Sequence, residues 1–458
     1  MSHSKIPATF RTSFTPDQIG GITSVLSAAN LAFARYYPGE SNRRQPAHTV
    51  YGGGHIFKSD SARKLGDVAL RSLDEYAPDA KAFAKAFELQ GGAAFAKTLR
   101  ERVAEKLRRE AVEDFRLDYE DGYGNRLDTE EDGHAAQGAT EVAKGLATGT
   151  LPPFIGIRIK PMNEDLRARA TRTLDIFVTT LLAGTQGKLP DNFVITVPKV
   201  QIPEQVTAVV KMLALLERRN RLAAGALKLE LMLETPQAII SRHGTLTLPS
   251  LIEAAEGRCL GVHFGVYDYT AGRNITAAYQ AMGHAVCDFA REVMAVSLAG
   301  TGIFLSDGAT NIMPVAPHRA EAGRRLAAKQ QRENRETVHH AWRLAFCDTQ
   351  HSLVNGIYQG WDLHPAQFVA RYAAVYAFFL SGLDAASSRL KAFVGKAALA
   401  SLHGDVFDDA ATGQGLLNFF LRGISCGAIT EAEALATGLT LDEIRTRSFL
   451  KILLGRRK

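Results

Sequence analysis

The sequence predicts an α/β protein built on a closed barrel of eight parallel strands, a (β/α)8 or TIM barrel, with helical additions. Strand-like and helix-like segments alternate along most of the chain, which is typical of parallel strands joined by crossover helices. About eight apolar strand-like runs can be counted, and the length of 458 residues suits one large barrel with attachments. A doubly wound open sheet is the alternative, but no G-x-G-x-x-G motif follows the first strand.

The predicted elements divide the chain into three parts. Residues 1–45 form an N-terminal helical segment, in which a helix is expected from residue 15 to 37. Residues 46–380 form the barrel, with a helical insert at 61–113 after the first strand. Residues 381–458 are rich in Ala and Leu and form a helical C-terminal extension. The eight strands are expected at residues 48–51, 114–122, 154–161, 192–199, 227–234, 259–265, 302–307 and 357–364.

Composition and charge narrow the range of partners. The formal net charge of +6 favours a small anionic substrate such as a carboxylate, a phosphate or a CoA ester. No basic stripe interleaved with aromatic residues occurs, so no nucleic-acid partner is predicted. The chain lacks a signal-type N-terminus and a long uncharged apolar run, which predicts a cytoplasmic protein without a membrane partner. The four cysteines lack metal-binding spacing, so neither a zinc site nor a disulfide framework is expected.

Charged residues follow nearly every predicted strand. In a TIM barrel the active site lies at the carboxyl ends of the strands, where all of these residues would meet. That number of charges at one mouth exceeds what packing requires and predicts a site for a metal-bound anionic small molecule. The residues are Glu120, Asp121, Arg158, Lys160, Lys199, Glu234, Asp268, Asp307 and His364.

Glu234 and Asp268 are the predicted metal ligands. Each follows a run of apolar residues and lies beside a turn residue, so two neighbouring strands deliver one carboxylate each. A hard cation such as Mg²⁺ prefers oxygen ligands and keeps positions open for water and substrate. We therefore predict Mg²⁺ at this pair, with Mn²⁺ as an alternative ion. The other interpretation is a buried salt bridge with Lys199 or Arg158.

The remaining candidates each have a catalytic or binding interpretation beside a structural one. Arg158 is predicted to bind substrate rather than to serve only as an ion-pair partner. Glu120 and Asp121 are candidate catalytic acids, or else the cap of a following helix and an exposed acid. Lys199 is a candidate catalytic residue, or else holds the carboxylates apart. His55 follows three glycines, so it either contacts substrate or belongs to an ordinary tight turn.

Six strand-end motifs occur in a characteristic order. They are Leu117-Asp-Tyr-Glu-Asp121, Arg158-Ile-Lys-Pro161, Pro198-Lys199, Glu234-Thr235, Phe264-Gly-Val-Tyr-Asp268 and Leu363-His-Pro-Ala-Gln367. Together they resemble the citrate lyase β-subunit and HpcH/HpaI aldolase superfamily of phosphoenolpyruvate/pyruvate-type TIM barrels. The resemblance implies dependence on Mg²⁺, metal binding by Glu234 and Asp268, and substrate binding by Arg158. Gly265, within the fifth motif, is predicted as a further substrate-binding residue.

The leading functional hypothesis is a Mg²⁺-dependent carbon–carbon lyase or aldolase. It would act on a 2-oxo acid or a β-hydroxyacyl substrate, with a CoA ester as one form, through a metal-stabilised enolate. A phosphoryl-transfer enzyme on a phosphoenolpyruvate-like substrate is the second hypothesis, with Gly52-Gly-Gly54 and Lys58 as the phosphate cradle. A non-catalytic barrel scaffold is the third. A homo-oligomer is expected, because oligomers are common for such barrels.

Overall fold

The computed structural model confirms the predicted (β/α)8 barrel. It describes residues 13–41, 43–320, 325–395, 401–403, 406–408 and 410–456. Eight parallel strands pair in the order of the sequence, and the first strand pairs with the eighth to close the barrel. The strands are β1 His48–Gly53, β2 Asp114–Asp118, β3 Phe154–Arg158, β4 Phe193–Val197, β5 Lys228–Leu233, β6 Cys259–Phe264, β7 Phe304–Ala309 and β8 Gln359–Asp362.

Helices surround the barrel and extend it at both chain ends. They are α1 Pro16–Tyr36, α2 Ser61–Tyr76, α3 Ala80–Phe87, α4 Gly92–Glu110, α5 Asp128–Thr148, α6 Arg167–Gly184, α7 Pro203–Arg219, α8 Pro236–Ile239, α9 Leu248–Ala254, α10 Val266–Gly272, α11 Ala285–Leu298, α12 Ala328–Val354, α13 Gln367–Gly395, α14 Ala410–Ser425, α15 Glu431–Leu435, α16 Leu441–Arg445 and α17 Phe449–Arg456. Two short antiparallel strands, β9 Ser401–His403 and β10 Val406–Asp408, lie between α13 and α14 in the extension that was expected to be helical.

Local capping explains where the predicted helical insert is divided and where α11 begins. The insert after β1 consists of α2, α3 and α4, because the Asp79 side chain caps α3 by accepting a hydrogen bond from the Ala82 N–H. Gly91, at a φ of 109°, then turns the chain into α4. Helix α11 begins at Ala285, where the imidazole of His284 accepts a hydrogen bond from the Val286 N–H.

Helix α13 is the central packing element outside the barrel. It packs against α4, α12 and α14, and most residues of its first half are buried. The boundary predicted between residues 380 and 381 lies inside this continuous helix. Among the described residues α13 is also the one helix long and apolar enough to cross a membrane. Because 61% of that window is buried inside the structure, its hydropathy is that of a core helix.

The barrel interior contains a network of buried charges. Alternate residues of a strand point to the same face, and on β2 two of them, Asp114 and Arg116, lie inside the barrel. The Arg116 guanidinium pairs with Asp114 and donates to both oxygens of Glu230 from Nη2 at 2.9 Å. The Trp361 indole donates to His263 Nδ1 at 2.8 Å, so the other ring nitrogen donates to Glu230 at 3.1 Å. Every charge in this network therefore has an opposite or hydrogen-bonding partner.

We expect Arg116→Met to lower the free energy of unfolding by about 3–5 kcal/mol, because it leaves two buried carboxylates uncompensated. Urea unfolding followed by circular dichroism measures the change. Arg63→Met, which removes an exposed arginine paired on the surface of α2, is the control and should cost less than about 1 kcal/mol. Equal losses in the two variants would contradict the assigned role of the interior network.

Candidate active site

Lys199, in the turn after β4, lies at the centre of the predicted strand-end cluster. Its Nζ lies 2.6 Å from Glu120 Oε1, 3.0 Å from Asp121 Oδ2 and 3.1 Å from Asp268 Oδ2. Its backbone N–H donates to Glu234 Oε1 at 2.7 Å. The turns after β2 and β5 and the first turn of α10, which follows β6, thus deliver four carboxylates to one residue, and five of the predicted site residues are brought together.

The backbone of Lys199 adopts a conformation that non-glycine residues seldom occupy. Its φ is +49°, in the left-handed region, which costs roughly 1–3 kcal/mol unless the surroundings compensate it. This conformation lets the main-chain N–H meet Glu234 while the ammonium group reaches the other acids. Although burial lowers the pKa of Lys199, Glu234 and Glu120 outweigh it and raise that pKa, so the side chain is cationic.

Arg158, at the end of β3, is held in one orientation by two acids and an aromatic ring. Its Nε and Nη2 donate to the two oxygens of Asp118 at 2.7 and 2.5 Å, and its Nη1 lies 3.0 Å from Glu120 Oε2. The guanidinium lies 4.7 Å from the centroid of the Tyr51 ring. The Asp118 carboxylate also accepts the backbone N–H groups of Glu120 and Gly122. Arg158 is therefore an ion-pair partner, and its guanidinium is a preorganised positive group.

Asp118 is the site residue that sequence reasoning missed. It lies within the Leu117–Asp121 motif, but the motif alone does not distinguish its three acids. Strand periodicity is the signal that could have found it, because Asp118 lies two residues beyond the inward-facing Arg116 on β2. The same period places Asp118 at the top of the barrel interior, next to Arg158 on the neighbouring strand.

Glu234 is the acid with the most altered environment. Only 2% of the residue is exposed, and burial raises the pKa of its carboxyl to about 8. The charge of Lys199 opposes this shift, while Asp268 and Glu120 add to it. Burial likewise raises the pKa of Glu120 against the effect of Arg158. Without a further cation, the cluster therefore favours a protonated Glu234 near neutral pH.

The cluster has fewer positive charges than negative ones. Among the described residues its five carboxylates face two cations, Arg158 and Lys199, which leaves a formal charge of −3 when every acid is ionised. Glu120 Oε2 is buried, and although Arg158 Nη1 lies 3.0 Å away, no hydrogen bond of good geometry reaches this oxygen within the described part of the chain. Donors of this kind, all oxygen and with surplus negative charge, fit a hard divalent cation. The carboxylates are Asp118, Glu120, Asp121, Glu234 and Asp268.

The protein does not supply a complete cage for such a cation. Over the described ranges, no three residues among His, Cys, Asp and Glu are placed to hold a metal ion together. Mg²⁺ commonly takes only one or two carboxylates from the protein and completes its coordination with water and substrate. The predicted pair of Glu234 and Asp268 matches that pattern, and the ligand assignment stays a prediction.

Gly265 allows Glu234 to approach the end of β6. A Cβ at Gly265 would lie 2.3 Å from Glu234 Cβ and 2.5 Å from Glu234 Oε2, closer than atoms can pack. Any side chain at this position would displace the carboxylate. This contact accounts for the glycine on packing grounds, while its predicted contact with substrate stays a prediction.

His55 lies in a neighbouring aromatic cluster. Its ring centroid lies 5.4 Å from that of Tyr123 and 5.7 Å from that of His134. Its Nδ1 is buried and has no hydrogen-bond partner among the described residues, and burial lowers the pKa of the ring. The predicted substrate contact of His55 stays a prediction. Lys160 faces the same region, where its Nζ donates to the Tyr119 carbonyl at 2.6 Å.

Two strand-end residues have partners outside the cluster: the expected place of Asp307 at the mouth is wrong, and that of His364 stays a prediction. Asp307 lies on the outer face of β7, where it accepts hydrogen bonds from Arg291 at 2.9 Å and Ser352 at 2.6 Å. His364 belongs to the turn before α13, and its Nδ1 accepts the Ala366 N–H at 3.2 Å. For Asp307 the reason is the strand period, since neighbouring residues of a strand point to opposite faces and only one face meets the barrel interior.

The barrel fold is shared by other solved structures. A citrate lyase from Burkholderia xenovorans LB400 has the same fold, with a TM-score of 0.54 and 17% identity over 87% of this chain and 97% of that one. CitE from Mycobacterium tuberculosis, in complex with magnesium, acetoacetate and coenzyme A, aligns with a TM-score of 0.47 and 14% identity over 84% and 100% of the two chains. The resemblance to the citrate lyase β-subunit superfamily is confirmed for the fold.

The chain itself belongs to the family described as Domain of unknown function (DUF6986). The model of that family matches residues 26–452, which include the whole barrel and nearly all of the C-terminal extension. A comparison with curated proteins gave no match.

The raised pKa of Glu234 makes the stability of the metal-free protein depend on pH. Between its ordinary pKa of 4.5 and about 8, the folded state binds more protons than the unfolded state, so stability falls as pH rises. We expect the free energy of unfolding to fall by at most about 1.4 kcal/mol per pH unit across this range. Urea unfolding in the presence of a chelator measures this slope. Glu234→Gln should remove most of it, and an unchanged slope in that variant would contradict the assignment.

Proposed function

We propose that this protein is a Mg²⁺-dependent carbon–carbon lyase or aldolase that acts on a 2-oxo acid or a β-hydroxyacyl compound. The observation that carries the proposal is the arrangement at the barrel mouth. An oxygen-only set of acids with surplus negative charge lies beside an arginine whose orientation is fixed. An anionic substrate that chelates a cation needs both features, since the cation and the arginine bind different oxygens of one small molecule.

Glu234 and Asp268 are the residues that would hold the cation, with Mg²⁺ proposed and Mn²⁺ as the alternative. When bound, such an ion acts as a Lewis acid that polarises a carbonyl oxygen and stabilises negative charge developing there. The ionised form of Glu234 is disfavoured by its surroundings alone, and a divalent cation would reverse that preference.

The other residues of the cluster are proposed to bind the substrate and to move a proton. Arg158 offers a rigid donor to a substrate carboxylate or to an oxygen on which charge develops, and Asp118 keeps it in place. Glu120 is the candidate acid or base, because it is buried, its pKa is raised by burial, and Lys199 reaches it at 2.6 Å. Lys199 also keeps Asp121 ionised, since its charge lowers the pKa of that acid despite burial.

The structure does not favour the phosphoryl-transfer alternative. The Gly54 N–H, which a phosphate cradle would use, donates to the Asp118 carbonyl at 2.8 Å. Gly52 is required by packing, because a Cβ there would lie 2.6 Å from the Phe115 ring. Lys58 is exposed, and its backbone N–H is bound to Ser61 Oγ at 2.9 Å. The glycines therefore serve close packing and main-chain bonding rather than a loop of free N–H groups.

We expect Glu234→Gln and Asp268→Asn each to lower Mg²⁺-dependent turnover by about 10²-fold or more, because each removes a negatively charged oxygen ligand. The measurement is release of pyruvate or glyoxylate from a panel of 2-oxo acids, 2-hydroxy acids and hydroxyacyl-CoA esters. Glu164→Gln, at an acid that is 86% exposed, is the matched control and should be as active as the parent. Full activity in the site variants would contradict the proposal. Silence of the parent over the whole panel, without Mg²⁺ binding, would favour the scaffold alternative.

We also propose that the protein is a homo-oligomer and that α1 contributes to its interface. Nine large hydrophobic residues between Phe14 and Tyr37 are exposed by 44–73% in the single chain. Soluble monomers seldom leave a contiguous apolar surface of this kind uncovered. A second copy of the chain is the simplest partner, because a two-fold interface pairs the same apolar face with itself.

The double variant Ile22→Asp/Val25→Asp should reduce the oligomer to a monomer, because two charges would enter the apolar contact. Light scattering coupled to size-exclusion chromatography measures the mass. Asn30→Asp, at an exposed polar position of the same helix, is the control and should leave the mass unchanged. A parent protein that is already monomeric would contradict the proposal.

A cytoplasmic location is proposed as well, and it suits four cysteines that are all free thiols.

A further inference from the structure

A second charged region lies at the other end of the barrel. It is a cavity of about 410 Å³, here called the basic cavity, and its walls come from four parts of the chain. These are residues 43–44 before β1, the end of α4, residues 421–427 at the end of α14, and residues 445–447 after α16. Because residues 43–44 precede β1 and the end of α4 precedes β2, the cavity faces the amino ends of these strands. A strand of five or six residues, roughly 16–20 Å, separates it from the candidate active site.

The charge of the basic cavity is strongly one-sided. Seven of its lining residues are Arg or Lys, and Glu110 is the one acid among them, so their formal charge is +6. This equals the formal charge of the whole chain, so the remaining acidic and basic residues balance each other. Glu110 is already engaged, since it accepts hydrogen bonds from Arg44 at 2.6 Å and from Lys106 at 2.5 Å.

Helix capping does not account for this excess. Basic residues are favourable in the last turn of a helix, and α4, α14 and α16 all end at the basic cavity. Each helix end carries a partial charge of about −0.5, so three ends neutralise about −1.5, well below the positive charge present. Acids outside the lining also reach four of the cations: Glu113 lies 3.1 Å from Arg44 and 2.5 Å from Lys106, and Glu40 lies 3.0 Å from Arg422. Asp442 and Glu431 lie 3.4 and 3.9 Å from Arg445. With these four acids counted beside Glu110, the seven cations leave a formal charge of +2, still above what the helix ends neutralise.

The basic cavity also contains polar atoms that lack partners. Arg44 Nε and Ser425 Oγ are buried without a hydrogen-bond partner within the part of the chain that the structure describes. Arg447, whose Nη2 donates to the Ser41 carbonyl at 2.9 Å, is crowded by like charge. Burial lowers the pKa of Arg447, and the charge of Arg422 lowers it further. Buried donors and crowded guanidinium groups are the conditions that a bound anion would relieve.

We propose that the basic cavity is a binding site for a small polyanion of the oligophosphate class. Its volume lies within the range of ligand pockets, roughly 300–1,000 Å³. Six of its seven cations are arginines, whose planar forks bind phosphate oxygens in pairs. An oligophosphate carries several negative charges in a compact volume, which matches the mostly positive lining of the basic cavity. The site is separate from the strand-end cluster and does not depend on the proposed reaction.

The test is calorimetric titration of the full chain with sodium tripolyphosphate at constant ionic strength, because salt screens non-specific attraction. We expect saturable binding at one site per chain. Arg109→Ala and Arg445→Ala, which shorten exposed arginines at two different walls, should each weaken it about 10-fold or more. Arg108→Ala is the matched control, because Arg108 is the neighbouring exposed arginine of α4 and does not line the cavity.

The outcomes separate specific binding from general attraction. Retained affinity in Arg108→Ala and in Glu234→Gln, with loss in both cavity variants, would support the proposal independently of the reaction at the mouth. Absence of saturable binding would overturn it, as would equal weakening by Arg108→Ala. Citrate binding as tightly as tripolyphosphate would overturn the assignment to phosphate. Circular dichroism establishes that each variant is folded, and Arg445→Ala keeps the test decisive if Arg109→Ala fails to fold.

Discussion

The buried ion pair between Asp118 and Arg158 is the interaction on which the candidate active site depends. Removal of either partner would leave a charge in the barrel without compensation, which costs several kcal/mol. Asp118 also binds the N–H groups of Glu120 and Gly122, so the pair determines the turn after β2. That turn places Glu120 beside Lys199, and Lys199 in turn binds Glu234 through its main chain. The ends of four strands are thereby coupled by polar contacts rather than by apolar packing.

The charged groups of the barrel lower the stability of the fold, and they are concentrated at and below the candidate active site. Barrel interiors are usually filled by branched aliphatic side chains, whereas here Arg116, Glu230 and their partners occupy the layer below the site. Above this layer lie two further groups that lower the stability. They are the backbone of Lys199 in the left-handed region and the buried carboxyl of Glu234, whose pKa is raised. The surrounding contacts hold these groups in their unfavourable states. The groups lie together where a cation and an anionic substrate would meet. The disfavoured ionised form of Glu234 reflects the shortage of positive charge in the cluster.

The two ends of the barrel carry opposite charge. Acids are in surplus at the carboxyl ends of the strands, and arginines are in surplus at the amino ends. The C-terminal helices take part in this division, because α14 and the residues after α16 complete the wall of the basic cavity. Arg102 on α4 binds Glu433 on α15, which attaches the extension to the insert after β1. The helices that are added to the eight-stranded barrel therefore form a separate surface, the basic cavity.

The sequence by itself determined the barrel, the position of its strands and the convergence of Glu120, Asp121, Lys199, Glu234 and Asp268. Apolar runs and turn residues are local signals, and parallel strands necessarily end at one face, so these features need no knowledge of packing. Only the tertiary structure decided that Asp118 holds Arg158, that Asp307 faces α11, and that Gly265 makes room for Glu234. These depend on which face of a strand a residue occupies and on contacts between neighbouring strands. The basic cavity depends on the tertiary structure most of all, because its walls lie up to four hundred residues apart in the chain and only folding brings their charges together.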